Sequence, residues 1–94
     1  SRDDETEADL VGLDIVARAG YDPRAGIAVW QKMALIDKGA PPQWLSTHPA
    51  GTNRIEKMRK HLPEVMPLFA RNKGVQPDLL PPYRSNLPQL APIP

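Results

Sequence analysis

The sequence contains no cysteine, which excludes a disulfide framework and a thiolate metal site and makes oxidising and reducing compartments equally tolerable. No apolar run approaches the roughly 20 residues that span a bilayer. No helix in it is therefore long and apolar enough to cross a membrane, and membrane association is expected only through regions outside the chain. Charge of one sign is also lacking: twelve Lys and Arg against eleven Asp and Glu leave a formal +1, which gives no general attraction to nucleic acid. Histidine is limited to His48 and His61, and no H-E-x-x-H occurs. There is no internal repeat and no strand-like alternation. With 94 residues the chain is sized for one small domain with a thin core. Its start, Ser1-Arg2-Asp3-Asp4-Glu5, is nothing like a signal peptide and reads as the inside of a helix-initiating segment, so a soluble piece of a longer protein is expected.

What is present is helical periodicity. From Asp3 or Asp4 to Ala19, apolar residues recur at Ala8, Val11, Ile15 and at Leu10, Leu13, Ala17, the spacing of an amphipathic helix with a broad apolar face. Gly20 supplies a left-handed stop, and Asp22-Pro23 supplies an N-cap followed by proline at the first position of a second helix. That helix carries Ile27, Trp30, Met33, Ala34 and Ile36 and ends at Lys38-Gly39, so the two should form a hairpin. The loop 40–49 holds Pro41, Pro42 and Pro49 and should be ordered by ring stiffness and by burial of Trp44 and Leu45. A third helix begins near 49–52 with Ile55, Met58 and Leu62 inside and a basic outer face. Pro63 kinks it, or restarts it as a second short helix, before Val65, Met66, Leu68 and Phe69.

Beyond Gly74, the prolines at 77, 81, 82, 88, 92 and 94 exclude helix and favour extended polyproline-like backbone. The expected fold is all-α: a helical hairpin plus a third helix or two short helices over residues 1–74, then an extended proline-rich tail over 75–94, strapped along the surface or disordered. Trp30, Met33, Trp44, Met58 and Phe69 are spaced as core contacts, and His61, in a basic run, belongs to the surface.

The chemistry is concentrated at the start. Glu5 and Asp9 are four apart and so share one face of the first helix, with Gly12 and Val16 continuing the stripe. A zinc site takes a carboxylate ligand, and a histidine ligand takes a supporting carboxylate on its far nitrogen; Glu-x-x-x-Asp on one helix can provide both. The same residues also suit an ordinary solvated first turn, where acidic side chains complement the helix dipole, and spacing alone leaves both readings open.

The segment Glu5-Thr6-Glu7-Ala8-Asp9, followed in order by Ala19-Gly20-Tyr21-Asp22-Pro23, Trp30-Gln31-Lys32-Met33, Leu45-Ser46-Thr47-His48-Pro49 and Arg54-Ile55, resembles the C-terminal half of the HtpX, BepA and Oma type zinc metallopeptidases. The resemblance covers about residues 1 to 60. In that family an H-E-x-x-H helix carries two zinc-binding histidines and a glutamate general base, and a later Glu-x-x-Ala-Asp segment carries the third ligand. The resemblance therefore implies Glu5 as zinc ligand, Asp9 as the carboxylate supporting a histidine, and Glu7 as structural. It also implies His48 near the metal as a transition-state donor or regulatory extra ligand. Arg54 matches the family's arginine and either pairs with a carboxylate near the site or joins the basic face of Arg2, Lys57, Arg59 and Lys60.

The implied function is that of a zinc endopeptidase of cell-envelope protein quality control, acting on protein or peptide substrates. The setting is the bacterial periplasm, or alternatively the mitochondrial inner membrane. Lacking H-E-x-x-H, the chain alone is expected to be inactive and to need the N-terminal half of the same protein, held through its apolar helical faces, before zinc is bound. The competing expectation is a non-catalytic helical interaction module with the Trp44 loop and the proline tail as its binding surface.

Overall fold

The structure is a computed structural model that describes residues 2–36 and 52–94. Among these residues there are three α-helices: α1 (Arg2–Arg18), α2 (Arg24–Ile36) and α3 (Thr52–Lys73), followed by a short 3-10 turn, Pro77–Leu79. No strand occurs among the described residues, so the fold is all-α, as the periodicity requires. The loop carrying Trp44 and His48 lies outside the described residues.

Each boundary has a local cause. Helix α1 opens on Asp3, Asp4 and Glu5 and closes on Arg18, the charge order that a helix dipole favours. Arg18 Nε also donates to Asp14 Oδ1 at 2.6 Å one turn back. The helix ends in a Schellman turn, in which the Gly20 N–H donates to the Ala17 carbonyl and the Tyr21 N–H to the Val16 carbonyl, with Gly20 at φ +90°. Asp22 then caps α2 by accepting the Arg24 N–H at 3.0 Å, with buried Pro23 at the first helical position.

Gly20 carries a second constraint. A Cβ there would lie 2.9 Å from Asn72 Oδ1, and Asn72 Nδ2 caps the end of α1 by donating to the Arg18 carbonyl at 3.1 Å. Gly74 closes α3 by the same type of turn at φ +72°, but its Cβ would meet open space. Gly74→Ala is therefore expected to cost only the left-handed backbone penalty, about 1 kcal/mol. Gly20→Ala should cost about 2 kcal/mol, because Asn72 must also move. Urea midpoints of the two variants check the order; equal midpoints would deny the Asn72 contact.

Helix α3 decides between the two expected forms: a single third helix, not two short helices restarted at Pro63. It runs unbroken for 22 residues with Pro63 and Pro67 inside it. Four residues apart, the two prolines lie one above the other on the exposed side, so the carbonyls they leave without partners face water rather than the core. The opposite side, Met58, Leu62, Val65 and Phe69, is buried against Leu13 and Ala17 of α1 and Ile27 of α2.

Contacts at the two ends fix the sense of α1 against α3. Arg54, near the start of α3, meets Glu5 and Asp9 in the first half of α1, and Asn72 meets Arg18 near the ends of both, so the helices run in the same sense, with α2 between them in the sequence. The broad apolar face of α1 is divided: Leu13 and Ala17 are buried, whereas Val11 and Ile15 are 50% and 61% exposed.

The proline-rich segment takes the strap form, and it is ordered by more than ring stiffness. Its backbone turns through the 3-10 turn, which corrects the expectation that it excludes all helix, and returns through a two-bond antiparallel bridge between Tyr83 and Ile93, at 2.8 and 2.9 Å. Ile93 is 2% exposed and belongs to the core, with Leu80 and Tyr83 against it. Arg24, itself buried, holds the return: its guanidinium forks onto Asp22 and donates to the Pro81 carbonyl at 2.8 Å and the Ile93 carbonyl at 3.4 Å.

A candidate carboxylate site at the head of two parallel helices

Because α1 and α3 run parallel, the first turns of both lie side by side. The stripe of Glu5 and Asp9 faces the start of α3, where Arg54 projects between them. Arg54 Nε donates to Asp9 Oδ2 at 2.5 Å, and Nη2 donates to Asp9 Oδ1 at 2.7 Å and to Glu5 Oε2 at 3.0 Å. The Asp9 pair is the bidentate fork that a guanidinium favours with a carboxylate. The Arg54 and Asp9 side chains are 13% and 10% exposed, and Glu5 is 40% exposed. Asp9 is thus the arginine's main partner, accepting two of its hydrogen bonds, and Glu5 accepts a third at the solvent margin.

The guanidinium also lies over the Trp30 ring, with Cζ 4.0 Å from the ring centroid, within cation–π range. Arg54 is held above the ordinary guanidinium pKa, chiefly by its hydrogen bond to Asp9, with the Asp9 and Glu5 charges adding to it against the opposing cost of burial. A cation whose pKa rises on folding contributes stability that is complete below its unfolded value and is lost only as pH climbs through the higher folded one. Arg54 therefore stays charged throughout the neutral range and neither gives nor takes a proton there; its chemistry is charge and direction.

Of the residues singled out by sequence, the structure brings Glu5, Asp9 and Arg54 together. The pairing of Arg54 with carboxylates is the placement observed, not the basic outer face. His48 lies outside the described residues. His61, expected at the surface, is half-buried on α3 with Nδ1 3.2 Å from Glu64 Oε2, away from the carboxylates. Met58 and Phe69 are core residues as expected, while Trp30 has the added role of flooring Arg54. Sequence gave no sign of that contact, because it crosses between helices whose relative placement no local pattern encodes.

The cluster's donors are carboxylate oxygens, a type that zinc accepts. A carboxylate offers about four acceptor positions, of which Arg54 fills one on Glu5 and two on Asp9. A Glu5 carboxylate 40% exposed to solvent is of the chemical type that ligates zinc, and Asp9 is of the type that accepts an imidazole N–H. Among the described residues no group of three or more His, Cys, Asp or Glu side chains could hold a metal by itself, so the cluster fits one ligand position rather than a complete site. Beside it, Asp9 and Trp30 close one end of an open cleft of about 470 Å³ between α1 and α2, walled by Gly12, Val16, Ala25 and Val29.

Comparison with known proteins places this geometry in context. The family model for peptidase family M48 matches residues 1–62, which contain all three members of the cluster. The zebrafish Danio rerio protein named metalloendopeptidase OMA1, mitochondrial, is 45% identical over 75 residues, covering 76% of this chain and 16% of that protein. The Saccharomyces cerevisiae mitochondrial metalloendopeptidase OMA1 is 42% identical over 78 residues, 77% of this chain and 23% of that protein. A Yersinia pestis β-barrel assembly-enhancing protease is 34% identical over 65 residues, 67% of this chain and 13% of that protein. The chain thus spans less than a quarter of the length of each of these relatives. No solved structure matches the chain at a significant level.

Proposed function

Since the chain belongs to peptidase family M48, a family of zinc-dependent metalloendopeptidases, we propose that it is the C-terminal part of such an enzyme's catalytic domain and supplies Glu5 as the third zinc ligand. The observation that carries this reading is the Arg54 bridge across Glu5 and Asp9, which aims two carboxylates of one helix in a common direction. Glu5 offers an ionised oxygen to the metal at the exposed edge of the cluster. Asp9, deeper and anchored, accepts the ring N–H of a histidine ligand and so fixes its tautomer. Arg54 holds the pair in register and offsets part of their negative charge. When bound, zinc would polarise the scissile carbonyl of a protein or peptide substrate and lower the pKa of water.

The two histidine ligands and the general base come, in this proposal, from an H-E-x-x-H segment of the same protein, and the chain by itself is inactive. The exposed Val11 and Ile15 of α1 are surface that such a partner would cover. His48 is retained as a donor to the developing oxyanion or as an extra ligand. The proposed setting is a mitochondrial or bacterial envelope compartment, and the higher identity to the mitochondrial proteins favours the first.

The test is metal content in the intact protein. Glu5→Gln keeps the side-chain volume and removes the charge, and it is expected to weaken zinc binding by more than tenfold, the lower bound of what even supporting residues contribute, and to reduce peptidase activity in step. One zinc per protein at unchanged affinity would refute the ligand assignment.

A further inference from the structure

Gly12 stands in the middle of α1, where only proline suits a helix less. Its φ is not positive, so alanine would keep the same backbone. A Cβ built there meets no atom within 4 Å among the described residues, so alanine would also fit. Gly26, across the cleft on α2, differs: its Cβ would come to 3.3 Å of the Leu13 side chain, and the packing of α2 on α1 explains why it is bare. What Gly12 leaves bare is a wall of the open cleft between α1 and α2.

The lining of that cleft limits what can fill it. It carries no charged side chain between Asp9 at one end and Asp22 in the turn at the other, and its walls are helices whose backbone groups are spent on their own bonds. An extended peptide finds few partners there for its N–H and C=O groups, whereas a helix arrives with its own satisfied. Ile15 and Val16 of α1 and Val29 of α2 extend the surface as exposed apolar side chains. With glycine at the contact, a second helix can approach to the short end of the roughly 8–10 Å range for packed helices.

Which helix this is follows from the residues at the cleft's end. Glu5, Asp9, Gly12 and Val16 form one stripe of α1, so a helix packed along Gly12 and Val16 runs on past Asp9 and Glu5. The two carboxylates are four residues apart, and so are the two histidines of an H-E-x-x-H segment. On adjacent helices each pair spans one turn, about 6 Å, so the pairs can stand level. The matched residues are under a quarter of the length of the relatives named above, which leaves ample chain to supply that helix.

We propose that the α1–α2 cleft seats the helix that carries H-E-x-x-H in the intact protein, with Gly12 as the point of closest approach between the two backbones. This rests on the proposal that such a segment of the same protein completes the zinc site. Gly12 is then kept bare for a neighbour outside this chain, and its substitution has opposite signs in two settings. In the chain alone an added methyl group improves the helix; in the intact protein it obstructs the contact.

The experiment has two readouts. In the first, Val29, on the α2 wall and 46% exposed, is replaced in the intact protein by p-benzoylphenylalanine, and the products of irradiation are mapped by mass spectrometry. Lys60, on the exposed side of α3, carries the same probe as control. The probe at Val29 is expected to join the H-E-x-x-H helix, and the probe at Lys60 is not. In the second, Gly12→Ala should raise the melting temperature of this chain by roughly 2–6 °C yet weaken zinc binding in the intact protein. Gly12→Leu should weaken zinc there by about five- to hundredfold, because extra methylenes in a packed contact force the helices apart. Capture by the Val29 probe of residues 37–51, of a second copy, of added peptide substrate or of no residue in the H-E-x-x-H helix would overturn the proposal. So would a lowered melting temperature for Gly12→Ala in the chain, which would put the neighbour within it, or unchanged zinc affinity in Gly12→Leu. In each of those events a zinc-deficient Glu5→Gln protein leaves the ligand assignment standing. Unchanged zinc in Glu5→Gln, with the Val29 product on the H-E-x-x-H helix, would remove the ligand assignment and keep the docking.

Discussion

Arg54→Met is expected to destabilise the chain by about 3 kcal/mol, read as a lowered urea midpoint at unchanged slope. Methionine keeps the unbranched apolar stem, so the change removes the guanidinium together with its stack on Trp30. Removing it strands Asp9, 10% exposed, beside a like charge on Glu5. Breaking one partner of a buried pair costs about 3–5 kcal/mol, and the partial exposure of Glu5 sets the expectation at the lower end. The pair itself need not be a net stabiliser, since desolvation offsets much of its attraction. Arg54→Met with Asp9→Leu, which removes both charges, should accordingly return to within about 1 kcal/mol of the wild type. A single-variant loss below about 1 kcal/mol would mean that the cluster behaves as a surface ion pair.

Ile93→Ala is expected to cost a similar amount, about 3 kcal/mol, within the range for large-to-small core substitutions. The residue stands between two prolines in an extended segment, yet it is 2% exposed and seated among residues of all three helices. Two bonds to Tyr83 and the Arg24 contact to its carbonyl hold its backbone in place, so the cavity cannot readily collapse. Leu79→Ala, at a position 73% exposed, is the control and should stay within about 0.5 kcal/mol. Equal effects at the two positions, by thermal or urea unfolding, would show that the strap contributes nothing to the core.

The elements that local chemistry dictates were readable from sequence. Gly20 and Asp22-Pro23 mark the α1–α2 turn because a left-handed stop and an N-cap act within a few residues. Glu5 and Asp9 share a face because helical spacing requires it. Pro63 left one helix or two short ones open because the local rule considers one missing N–H at a time, whereas Pro63 and Pro67 both lie on the exposed side of a continuous helix. Ile93 carried no signal, since a single apolar residue among prolines has no period. The choice that Arg54 makes between carboxylates and basic face depends on α1 and α3 being parallel, which is a tertiary property. The Trp30 stack depends on α2 as well. The carboxylate pair of the candidate site was thus legible, and the cation and indole that accompany it were not.

The most direct measurement is a crystal structure of the intact, zinc-loaded protein with anomalous data on both sides of the zinc absorption edge. The account predicts an anomalous peak about 2.0–2.2 Å from a Glu5 carboxylate oxygen, with Arg54 still forked on Asp9. A zinc peak with full occupancy and no Glu5 oxygen in its coordination sphere would contradict it.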